Sequence, residues 1–227
     1  MAIWKNLFQL SELKHIFLVI FILAFGFSYK FQGPATLGNW FGTFLLALIL
    51  VGISIFVHEL AHKYIASKFL ARVESKISWG GVLVMLIGMV LSQGWIVFAA
   101  IWAVVITPLR SMKPGKPFPH LGPREQAIIA LSGPMASLGV AILAKLFVPS
   151  LGLIATNLIM INVFIALFNL MPLFTLIPIM SFQRGKRTAL ETANMEGDFV
   201  FFGNRPLWVF VFMFALITSI ALIKVGA

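Results

Sequence analysis

The stretch from Trp40 to His62, WFGTFLLALILVGISIFVHELAH, decides how this chain is to be read. From Trp40 to Val57 it holds no charged residue. As a helix, the path from Trp40 to His58 is about 27 Å long, close to the roughly 30 Å thickness of a bilayer's hydrocarbon core. At its end stand His58, Glu59 and His62. Three polar groups within five positions of an apolar span are costly, and such groups are usually functional. A bland explanation is that the span ends at Val57 and an interfacial helix end follows, which Lys63 and Lys68 would suit.

The spacing carries chemistry. Histidines four positions apart lie on one helix face, one turn from each other, so both imidazoles can reach a single ion. The Glu after the first His then faces the open coordination position, where it can take a proton from water and pass it to a leaving amine. This HExxH pattern predicts His58 and His62 as ligands of one zinc ion per chain and Glu59 as the general base.

Composition agrees with a membrane setting. The chain has 227 residues, 60% hydrophobic and 11% charged, whereas soluble domains are about half apolar and a quarter charged. The apolar residues fall in runs at about 16–33, 40–70, 79–106, 126–148, 151–180 and 206–225. These predict an all-α polytopic membrane protein with about six transmembrane segments, forming a single domain over 1–227. No cleavable leader is evident at the N-terminus, so the first run is expected to be an uncleaved anchor. Between the second and third runs, Val73, Ser75 and Ile77 alternate with Glu74 and Lys76, which predicts a short extended segment. With no cysteine present, disulfides and thiolate metal sites are excluded.

The net charge of +10 invites a nucleic-acid reading. The basic residues cluster between apolar runs, however, as in cytoplasmic loops of membrane proteins, and no nucleic-acid partner is expected. Lys63, Lys68, Arg72 and Lys76 precede the third run; Arg110, Lys113, Lys116 and Arg124 follow it. Both groups lie on one side only if the third run is a hairpin or re-entrant segment. We expect its turn near Gln93-Gly94. The N-terminus and the segment with Arg184, Lys186 and Arg187 are then cytoplasmic, and the protein is a multi-pass component of the cell membrane.

A catalytic zinc site needs a third protein ligand. The remaining histidines are His15 and His120, and the remaining acids are Glu12, Glu74, Glu125, Glu191, Glu196 and Asp198. Met195-Glu196-Gly197-Asp198 is favoured, because a carboxylate beside glycine suits a turn that lets backbone approach a second helix.

Several motifs, in this order, resemble the site-2 protease family of intramembrane zinc metalloproteases, and within it a compact, archaeal-like branch. HELAH matches that family's HExxH. Ser132-Gly133-Pro134-Met135-Ala136-Ser137 looks like its Gly-Pro motif, and Phe168-Asn169-Leu170-Met171-Pro172 like its Asn-x-x-Pro motif. Trp79-Gly80-Gly81 and Phe98-Ala99-Ala100 add to the likeness. The resemblance implies hydrolysis of peptide bonds in transmembrane segments of membrane-protein substrates within the lipid bilayer. It also implies that Asn169 orients the substrate backbone. The family's third ligand is an Asp in an Asp-Gly pair soon after Asn-x-x-Pro. Here the aligned position falls on Glu196, roughly twenty residues late, with Asp198 as runner-up.

That displacement keeps alive a metal-binding pseudo-protease acting as membrane scaffold or chaperone. A prenyl-protein peptidase would need another downstream acid motif. A metal transporter would need polar groups on several spans.

Overall fold

The computed structural model describes residues 10–30, 37–92, 101–109, 121–172, 192–194 and 196–224. In chain order these form α1 (Leu10–Lys30), α2 (Leu37–Lys68), β1 (Ala71–Ile77), α3 (Trp79–Leu91), β2 (Trp102–Pro108), α4 (Pro123–Lys145) and the single turn α5 (Val148–Leu151). There follow α6 (Leu153–Leu170), β3 (Thr192–Asn194), α7 (Glu196–Gly203) and α8 (Arg205–Lys224). Five helices, α1, α2, α4, α6 and α8, are long and apolar enough to cross a membrane.

Their interior faces are largely apolar, as in a soluble protein, but so are their outer faces. On α2, Ala47, Val51, Ser54, Ile55, His58, Glu59, His62 and Ala66 are buried, a three-to-four-residue repeat that marks one face. The opposite face carries Ile49, Ile53 and Phe56, each about half exposed or more. α8 likewise presents Phe210, Met213, Phe214 and Ile217 outward. Such exposed apolar faces suit lipid rather than water. One polar contact inside this interior joins two helices: Asn162 Nδ2 of α6 donates to Ser54 Oγ of α2 at 2.8 Å.

The third apolar run does not cross as one helix. α3 has 13 residues, about 20 Å of helix, and its start is capped by Ser78, whose side chain accepts from the Gly81 N–H. The later part, Trp102–Pro108, is rich in β-branched residues and pairs antiparallel with β1, Ala71 opposite Pro108 and Ile77 opposite Trp102. The run therefore returns to where it began, as the charges predict. The expected turn at Gln93-Gly94 and the Phe98-Ala99-Ala100 motif lie outside the described residues. β1 alternates as expected, with Ala71, Val73, Ser75 and Ile77 buried. β3 completes a sheet of order β1-β2-β3.

The fifth run also proves shorter as a helix. α6 stops at Leu170, and Met171 is extended at φ −72°, ψ 135°, because the ring of Pro172 disfavours helix in the residue before it. Residues 173–180 lie outside the described set. α4 sits centrally and packs against α2, α6 and α7. Its interior Pro134 removes one backbone donor and loosens the preceding turn. A buried ion pair, Lys63 Nζ to Glu12 Oε1 at 2.6 Å, ties α2 to α1.

Candidate metal centre

α2 brings His58 and His62 to its buried face, both with no exposed surface. Each ring is held by its Nδ1. That of His62 donates to the Ile129 carbonyl of α4 at 2.8 Å. That of His58 lies 2.9 Å from Ser137 Oγ, about two turns further along α4. Such partners leave Nε2 of each ring free to ligate and fix its direction.

The two Nε2 atoms stand 3.2 Å apart. Glu196 Oε1 is 2.9 Å from that of His58 and 3.2 Å from that of His62. Among the described residues, this is the group of three His, Asp or Glu whose ligand atoms all lie within 4.8 Å of one another. Donors on a tetrahedral divalent ion with bonds of about 2.0–2.2 Å stand roughly 3.3 Å or slightly more apart. The observed triangle is slightly tighter than that. The space beside it is kept by Gly133, where a Cβ would overlap both Nε2 atoms. Glu196 Oε2 is buried without a hydrogen-bond partner, an expensive state for a carboxylate that ligation would relieve. The residues therefore fit a metal ion.

Glu196 arrives by a different route from the histidines. It opens α7, and Gly197 presses so closely on the carbonyl ends of Leu170 and Met171 that a Cβ there would collide with both. This close approach is the one expected of a Glu-Gly ligand turn. Burial alone would push the Glu196 carboxyl up, but the facing imidazoles of His58 and His62 outweigh it and hold the group down at about 2. Asp198 is buried in the same helix but does not join the three-donor group. Of the other acids weighed as ligands, Glu12 pairs with Lys63 and Glu74 with Arg72. Glu125 lies at the start of α4. His120 and Glu191 fall outside the described residues.

The chain is similar to a zinc metalloprotease. The relative is a protein of Methanocaldococcus jannaschii named as a candidate enzyme of that kind, 29% identical over 180 residues, covering 74% of this chain and 82% of the relative. No family model and no solved structure matches. Together, the relative's name and the His58–His62–Glu196 group support a metalloprotease.

Glu59, one residue past the first ligand, is 2% exposed. Its Oε1 accepts a short hydrogen bond from Ser75 Oγ of β1, and its Oε2 has no partner. It borders a cavity shared with Ser75, Trp102, Ile55 of α2, and His15, Ile16 and Val19 of α1. Asn169, on the last turn of α6, is buried with its Nδ2 unpartnered. Of the groups that support these side chains, Ser137 closes the Gly-Pro-like motif, whereas Ser75 and the Ile129 carbonyl belong to no motif. Only the inward phase of Ser75 in the β1 alternation hinted at one of them.

Proposed function

We propose that this protein is an intramembrane zinc endopeptidase of the site-2 protease kind, cutting peptide bonds in or near transmembrane segments of other membrane proteins. The observation that carries this reading is the convergence of His58 Nε2 and His62 Nε2 with Glu196 Oε1, the histidines and Glu59 standing on α2, a helix apolar enough to cross a membrane. Zinc held by these three ligands would supply Lewis acidity to a scissile carbonyl and to water.

The chain's own groups do the rest. Glu59 uses its open Oε2 to take a proton from the attacking water, then delivers it to the departing amine nitrogen. Ser75 occupies the other oxygen and so sets the direction of the carboxylate. Asn169 offers its unpaired N–H to the substrate's carbonyl oxygen as negative charge grows there. An intact substrate helix hides its amides in its own hydrogen bonds, so the segment must be locally unwound to enter. The charge pattern supports a cytoplasmic N-terminus, with the β1–β2 end of the molecule on the same side.

Ser75→Ala should leave zinc content unchanged and slow cleavage of a transmembrane peptide about 10-fold, the lower range for a supporting hydrogen bond. A wild-type rate would remove Ser75 from the mechanism.

The direct test of the site is zinc content of purified protein, measured with peptide cleavage, for wild type, Glu196→Ala and Asp198→Ala. About one zinc per chain is expected in wild type and Asp198→Ala, and loss of both metal and cleavage in Glu196→Ala. Retained metal in Glu196→Ala would overturn the ligand assignment. Bound zinc without cleavage in wild type would favour a metal-binding scaffold.

A further inference from the structure

Trp102 opens β2, stands opposite Ile77 of β1 and is 3% exposed. Its indole Nε1–H donates to Glu196 Oε1 at 3.3 Å. The same ring lies edge-on to His58, with centroids 5.6 Å apart and planes at 89°. One side chain thus touches two of the three proposed ligands, one on α2 and one on α7.

Two physical arguments give this contact a purpose. A glutamate has three side-chain torsions, and fixing them in one ligating arrangement costs conformational entropy. A donor that is itself immobile lowers that cost by selecting the arrangement beforehand. β2 is well suited to carry such a donor, because it is the middle strand of the sheet, paired with β1 along its whole length, Trp102 included, and with β3 from Val104 to Ile106. A buried indole N–H needs some acceptor, and here the acceptor is the oxygen that also faces both histidines.

We propose that Trp102 is a positioning residue of the metal centre: its N–H holds Glu196 in the ligating arrangement, and its ring sets the plane of His58. This inference rests on His58, His62 and Glu196 being the ligands. A purely structural Trp102 would contribute to folding but not to metal affinity in particular.

The test is zinc affinity of the full-length protein in detergent, by chelator competition, with the visible spectrum of the cobalt-loaded form and the melting temperature of the metal-free form. Wild type, Trp102→Phe, Glu196→Asp and the double variant are compared. Trp102→Phe keeps a ring but loses the N–H. It should weaken zinc about 10- to 100-fold and alter the cobalt spectrum, with little change in metal-free melting. In the Glu196→Asp background the shorter carboxylate withdraws from the indole, so the same change should cost only about twofold. Affinity within about twofold of wild type in Trp102→Phe, or an equal loss in both backgrounds, would overturn the inference. If Trp102→Phe fails to fold, a benzothienyl side chain at 102 preserves the shape and removes only the N–H, and is read the same way. Absence of metal binding in wild type would instead refute the ligand set itself, and this inference with it.

Discussion

Glu59→Gln should keep its zinc and lose cleavage by a factor of about 10² to 10⁴, the range expected when a general base is removed. Gln has nearly the shape of Glu, and its amide oxygen can still accept from Ser75 Oγ, the contact that Glu59 Oε1 makes now. What the variant lacks is an oxygen able to take a proton at the open end, where Oε2 has no partner. His58 and His62 keep their own supports on Ser137 and Ile129, so the metal should be held as before. Metal analysis and hydrolysis of a transmembrane peptide, run on the same preparation, check both halves. A variant that still cleaves at the wild-type rate would dismiss Glu59 as the base.

An equally large effect is expected from a single methyl group on α4. Gly133→Ala places a Cβ onto Nε2 of both His58 and His62. Neither ring can swing aside without breaking its hydrogen bond to α4. The variant should lose metal binding, and overpacking at so tight a contact costs about 1–3 kcal/mol of stability. Gly139→Ala provides the contrast within the same helix. Nothing lies within 4 Å of its added Cβ, so it should bind metal normally and gain up to about 1 kcal/mol from better helix propensity. Melting curves and zinc titrations of the pair separate collision at the site from a general effect of alanine in α4. Normal zinc binding by Gly133→Ala would mean that the ligand nitrogens do not need that space.

Much of this was legible in the sequence because it is local. The HELAH turn announces its own geometry, since helical spacing alone puts both histidines on one face. The alternation of Val73, Ser75 and Ile77 shows β1, and the basic residues on both sides of the third run show that it returns. The choice between Glu196 and Asp198 was not local. Two residues apart on a helix means directions about 200° apart, and which one faces the histidines depends on how α7 docks on the end of α6. Trp102 was hidden for a similar reason. In an uncharged run it reads as one more aromatic, and its partners belong to α2 and α7. Hydropathy alone cannot distinguish a short helix followed by a buried strand from one long helix, so it is the charges that give the return of the third run and not the form that the return takes. The break of α6 at Met171 is local, and Pro172 was in view, but the apolar residues beyond it masked the stop.

His58 and Glu196 are 138 positions apart, and this distance has a meaning in time. On the proposed reading, a ribosome delivers the base and two ligands early, while most of the protein is still unmade. The third ligand emerges only after α4 and α6 exist to receive it, because Gly197 must seat against the end of α6. A half-synthesised chain is therefore an unarmed one. On that reading it has no complete metal site until Glu196 has been made and docked.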